Sequence, residues 1–158
     1  MAEFLVEERA LIPSFHLSGR QGVFDSSVYK RKKNLVLFFL TEPDAMFLMG
    51  LDEASAAFRQ ENAEIAVITP LSMAAIQEFH KKNRLGFPLL CDEGGEVTAK
   101  FLALAAGEKA AALFITDRYG EIYFRYLAAQ NSDLPPFEDI TKSLNFIESQ
   151  CPECGGLG

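Results

Sequence analysis

The sequence predicts an α/β domain, a three-layer sandwich in which a central mixed sheet lies between helices on both faces and a β-hairpin leads the chain. Three observations carry this. Continuous apolar runs at Leu35–Leu40 (LVLFFL), Ile65–Thr69 (IAVIT) and Ala112–Thr116 (ALFIT) have the length and the β-branched or aromatic content of buried strands. Between and after them, apolar residues recur at spacings of three and four, the period of a helix face. A turn at Asp117–Gly120 (DRYG) joins the last run to Glu121–Tyr126 (EIYFRY), which makes that pair an antiparallel hairpin.

Along the chain, Ser14–Leu17 (SFHL), a turn at Gly19–Gly22 and a second short extended piece form the leading hairpin. The strand Leu35–Leu40 follows, then a helix with Leu51, Ala54 and Phe58 on its core face. Ile65–Thr69 is the next strand and Met73, Ile76 and Phe79 the next stripe. Phe87–Leu90 is a short strand in which Pro88 requires an edge or the first ladder position. Val97, Phe101 and Leu104 predict a third helix, and Phe137, Ile140, Leu144 and Ile147 a fourth. Strand, helix, strand, helix, hairpin, helix gives parallel crossover units with a mixed sheet, the thioredoxin-like arrangement. The expected organisation is one domain over residues 1–148 and a tail over 149–158.

Composition narrows the function classes. The chain has 158 residues, 49% hydrophobic with 14 Phe, enough apolar surface for a packed core. A net charge of -7 gives no cationic footprint for a nucleic acid, and the one basic cluster, Lys30–Lys33, reads as a solvated turn before a buried strand. No apolar run exceeds Leu35–Leu40, far short of the ~20 residues of a spanning helix. Glu3, Glu7 and Glu8 interrupt the amino terminus where a secretory signal would be basic and then apolar. The expected location is cytoplasmic, without membrane or nucleic-acid partners.

Four strings, in register, resemble the alkyl hydroperoxide reductase/thiol-specific antioxidant (redoxin) family, the peroxiredoxins of the thioredoxin fold. They are IPSFHL from Ile12, QGVFDSSVYKRKKNLVLFF from Gln21, GFPLLCDEGGEVTAKF from Gly86 and ALFITDRYGEIYFRY from Ala112. The resemblance implies an antioxidant oxidoreductase. Members that reduce peroxides carry a Thr-Pro-x-x-Cys type motif at the start of the helix after the first long strand. A thiol there meets the positive end of the helix dipole and ionises readily. The corresponding stretch here, Thr41 to Leu48 (TEPDAMFL), has no cysteine, and the first cysteine in the chain is Cys91. The family's second catalytic element, an arginine before the Phe-x-x-Asp strand, falls near Ala111 within Ala110–Ala112. Thioredoxins place a cis-proline in that region, so the chain matches neither pattern. Thr41, Glu42 and Asp44 are loop residues left by the family site or the walls of a new polar pocket.

The tail Cys151-Pro152-Glu153-Cys154 is the remaining candidate for chemistry. A C-x-x-C pair can close a small disulfide or supply two ligands to a tetrahedral metal. It follows a helix carboxyl end, where the dipole is negative, and Glu148 and Glu153 add like charge, all of which disfavour thiolate. A structural zinc needs four protein ligands, which two tails in a homodimer would provide. A redox pair, a dimeric zinc site and a tail without chemistry all remain open. Cys91 reads as a buried filler, and His16 and His80 as exposed or core-satisfied side chains.

Two function classes follow. In the first, any thiol–disulfide chemistry rests on Cys151 and Cys154, without a cofactor and with a partner such as a thioredoxin. In the second, the domain is a non-catalytic binding or scaffold module, with Met46, Phe47, Leu48 and Met49 bordering the old pocket as an interface and zinc in a dimer as its metal. Whether the chain is an enzyme at all separates them.

Overall fold

The structure is a computed structural model and describes residues 2–150. Cys151 and Cys154 therefore lie outside the described residues, and with them the redox and zinc readings of the tail.

The elements run β1 (Glu3–Phe4), β2 (His16–Gly19), β3 (Gly22–Asp25), β4 (Asn34–Phe39), α1 (Ala45–Gln60), β5 (Ala63–Thr69), α2 (Met73–Lys82), β6 (Leu89–Cys91), α3 (Thr98–Phe101), β7 (Leu102–Ala103), β8 (Ala111–Thr116), β9 (Ile122–Ala128) and α4 (Phe137–Ser149). The central sheet has the order β3-β2-β6-β5-β4-β8-β9. β4, β5 and β6 are mutually parallel, and β2, β3, β8 and β9 enter through antiparallel pairings. All six residues of β4 are buried, which is why the five that follow Asn34 read as an unbroken apolar run.

Alternation along the strands divides the core into two layers. Val36 and Phe38, with Ile65 and Val67, face α1, α2 and α4. Leu37 and Phe39, with Ala66 and Ile68, face the other way, where α3, β1, β7 and the segment around Phe15 cover the sheet. Four aromatic rings lock that second layer, with Phe101 4.9 Å from Phe39, 5.1 Å from Phe114 and 5.9 Å from Phe15 between centroids.

The helix ends follow from local chemistry. Asp44 and Ser72 cap α1 and α2 by accepting from Phe47 N (3.2 Å) and Ala75 N (3.2 Å). Asn62, at φ 58, takes the left-handed conformation that stops α1 after its Glu61 cap. The third predicted helix is corrected by the structure. Only Thr98–Phe101 is helical, because Leu102 and Ala103 turn into β7 and pair with Phe4 and Glu3. Leu104, expected on its core face, is exposed. The leading hairpin is present two residues later than its first strand was expected, with Arg20 and Gln21 as its turn.

Candidate functional site

The carboxyl ends of β4, β5 and β6 lie side by side, the edge at which open α/β sheets hold ligands. A crevice of about 550 Å³ opens there, walled by Thr41, Thr69, Asp92, Thr98, Lys109 and Ala110 among others. Its buried polar groups are committed to structure. Asp92 receives Val97 N (3.1 Å), Thr98 N (2.8 Å) and Thr98 Oγ1 (2.6 Å), which starts α3. Thr69 Oγ1 donates to the Leu90 carbonyl at 2.9 Å.

The loop from β4 into α1 borders this crevice and is held from a distance. Asn131, on a 3-10 turn before α4 and buried, accepts from Thr41 N (3.1 Å) and Thr41 Oγ1 (3.3 Å) and donates to the Glu42 carbonyl (3.0 Å). Asp44 then presents its carboxylate to the first turn of α1. The positive end of α1 thus already has an anion of its own. Of the alternatives for Thr41, Glu42 and Asp44, the structure favours the first, since Thr41 and Asp44 act as scaffold.

The apolar residues at the start of α1 divide. Leu48 is fully buried, and Phe47 sits 5.6 Å from Phe38 and 5.4 Å from Phe137, which fills the space under the helix start. Gly50 admits Phe137, since a Cβ there would stand 3.2 Å from its ring. Met46 and Met49 point outward, 87% and 41% exposed.

The remaining candidates do not converge here. Ala111 is fully buried in β8 on the helix-facing layer, and the cation nearest to it in sequence, Lys109, is an exposed wall of the crevice. Cys91 is half-buried against the helix-facing layer at the end of β6 and takes no part in the crevice wall. His16 is exposed on β2. His80 departs from both expectations for it, being buried on α2 with Nδ1 lacking a hydrogen-bond partner. Among the described residues, no three His, Cys, Asp or Glu side chains gather as a metal site, and no helix is long and apolar enough to cross a membrane.

The root of the tail stands at the opposite pole. Glu148, in the last turn of α4, accepts from Asn34 at 2.7 Å, at the first residue of β4, and from Arg118 at 3.4 Å.

This architecture matches a known family. The model of the AhpC/TSA family covers residues 9–125, from the leader before β2 into β9. The chain belongs to the AhpC/TSA family. Solved structures agree at the level of the fold. The mitochondrial 2-Cys peroxiredoxin from Plasmodium falciparum superposes with a TM-score of 0.74 at 15% identity, over 90% of this chain and 95% of that one. Peroxidoxin BcpB from Mycobacterium tuberculosis gives 0.72 at 20% identity, over 92% and 99%. Mycobacterium tuberculosis AhpC gives 0.71 at 19%, over 94% and 98%. No curated protein matches the sequence. The AhpC/TSA match ends before α4, so neither α4 nor the tail is part of what the family model describes.

Asn131 and Lys109 were not reached by sequence reasoning. Asn131 has no local signal, because its partner loop lies before α1. Lys109 was legible only as the cation nearest to Ala111.

Proposed function

We propose that this chain is a redoxin-family thiol–disulfide protein that lacks the peroxide-attacking cysteine and whose thiol chemistry rests on Cys151 and Cys154. The observation that carries this reading is Asp44. At the helix start where the family's peroxide-reducing members hold a thiolate, this chain holds a carboxylate bonded to Phe47 N, with Phe47 and Phe137 packed beneath it. A carboxylate occupies the dipole but has no sulfur lone pair with which to attack an O–O bond. Ala111 leaves no guanidinium to polarise a peroxide.

In the proposed reaction one tail thiolate attacks a sulfur of a partner's disulfide, forms a mixed disulfide and expels the partner's other sulfur as a thiolate. The second tail thiolate attacks the mixed disulfide, closes the Cys151–Cys154 bond and releases the partner as a dithiol. Two electrons pass to the partner, a thioredoxin-type protein, and a more reducing dithiol returns them to the tail. Arg118, bonded to Glu148 at the pole where α4 ends, offsets that carboxylate, which otherwise opposes thiolate formation.

A second reading, a non-catalytic binding module, draws on Met46 and Met49, which leave thioether surface exposed at the start of α1. One comparison separates the two. The reduced protein is mixed with an oxidised thioredoxin-type protein, and the gain of two hydrogens on that partner is followed by mass spectrometry with wild type and with the Cys151→Ser, Cys154→Ser double variant. The first reading requires fast reduction of the partner by wild type that the double variant abolishes. Equal, slow reduction with both leaves the module.

A further inference from the structure

At the sheet edge away from the crevice, the β2–β3 turn and the carboxyl end of α2 enclose two adjoining cavities. The first, about 410 Å³, is walled by Arg20, His80, Lys81, Arg84 and Leu85, with no acidic side chain on it. The second, about 370 Å³, shares Arg20, His80 and Leu85 with the first and continues between Phe24, Tyr29 and Phe87.

The cations are built into the fold. Gly19 brings the β2–β3 turn against β6, where a Cβ would stand 3.0 Å from Leu90 Cδ2 and 3.1 Å from the Leu89 carbonyl, and this places Arg20 at the mouth. The loop carrying Arg84 is clasped from α1, because Gly86 N donates to Asp52 (2.7 Å) and Arg59 donates to the Gly86 carbonyl. Lys81 pairs with Glu78 at 3.5 Å and, like Lys82, complements the negative end of α2. That explanation does not extend to Arg20 and Arg84, which lie outside α2 and have no ion pair assigned among the described residues. His80 is the second observation. It is 8% exposed and its ring lines both cavities. Its Nδ1 is closed off without a partner, which leaves Nε2 as the nitrogen a ligand in the cavity can meet.

We propose that Arg20, His80, Lys81 and Arg84 form a binding site for a phosphate monoester whose body is aromatic or apolar. Two guanidinium forks suit a phosphate's oxygens, the lysine adds a point charge, and the imidazole supplies a directed hydrogen bond. The ester body then lies in the second cavity against Phe24, Tyr29 and Phe87. Glu64 also lines that cavity, but it sits on the body side and its carboxylate is 3.9 Å from Arg59, so it does not confront the phosphate end. In a chain of net charge -7 this is a local reversal of sign, and it favours one small anion over a polyanion.

Titration calorimetry with phenyl phosphate and with inorganic phosphate tests the proposal on the full chain. Phenyl phosphate is expected to bind saturably and roughly tenfold more tightly than inorganic phosphate, which has no ring to bury. Arg20→Ala and Arg84→Ala, both exposed and harmless to folding, are each expected to weaken it about tenfold, and Arg84→Lys by less, since charge remains while the fork is lost. His80→Asn weakens it as well. Absence of saturable binding at millimolar phenyl phosphate overturns the proposal, as does unchanged affinity in an Arg20→Ala, Arg84→Ala double variant. Equal or tighter binding of inorganic phosphate overturns the ester.

Discussion

Asn131 holds Thr41 through both of that residue's donors, its backbone N at 3.1 Å and its Oγ1 at 3.3 Å, and returns a bond to the Glu42 carbonyl at 3.0 Å. One buried amide thereby ties the approach to α4 to the loop that begins α1, and it sets the geometry at the carboxyl edge of the sheet. Removing it leaves Thr41 N and the Glu42 carbonyl without their partner. Asn131→Ala is expected to cost about 2–3 kcal/mol by denaturant unfolding, and to speed amide exchange in the first turn of α1 before other helices are affected. A cost near zero would mean that the loop is positioned by Asp44 and the Phe cluster alone.

Asp44 tests whether the family's electrostatics survive without the family's thiol. Asp44→Ala should lose about 1 kcal/mol of stability with the cap. Asp44→Cys puts sulfur at the positive end of α1, and its alkylation rate against pH should report a pKa below the ~8.5 of a free thiol. An ordinary thiol pKa in that variant would show that α1 does not retain an anion-stabilising start.

Burial, reinforced by the charge of Arg20, lowers the pKa of His80 from the usual 6.5. Lys81 and Arg84 also face it, while Glu64 and Tyr29 line the adjoining cavity. The unfolded chain therefore takes up this proton at higher pH than the folded one. The stability linked to His80 is fully present above about pH 6.5 and is lost as pH falls toward the folded value. Urea midpoints measured between pH 7.5 and 5 should fall less steeply in His80→Gln than in wild type, whereas equal slopes would remove His80 from the account.

Gly19 makes a purely steric prediction. An added methyl group meets the Leu89 carbonyl, which cannot yield without moving β6. Gly19→Ala is expected to cost about 1–3 kcal/mol and to disturb the Arg20 turn. A neutral effect on thermal stability would show that β2 lies farther from β6.

Much of this fold was legible locally. Leu35–Leu40, Ile65–Thr69 and Ala112–Thr116 are strands shifted by a residue or two, legible because central strands covered on both faces are apolar nearly throughout. The stripe ending at Leu104 misled, since β7 depends on Glu3 and Phe4 at the far end of the chain, and pairing across such a separation leaves no local period. The site was less legible for the same reason. Asp44 could be placed at a helix start from its position, but the bonds from Asn131 and the clasp of Asp52 and Arg59 on Gly86 exist only once distant segments meet. His80 reads as an ordinary residue of a helix end until the β2–β3 turn brings Arg20 beside it.

The most direct test of the central claim is mass spectrometry of the tail peptide after the reduced protein meets one equivalent of an oxidised thioredoxin-type protein. The account predicts rapid loss of two hydrogens from the peptide carrying Cys151 and Cys154, unaffected by Cys91→Ser. A tail that stays reduced while Cys91 oxidises, or that oxidises no faster than a free thiol, would contradict it.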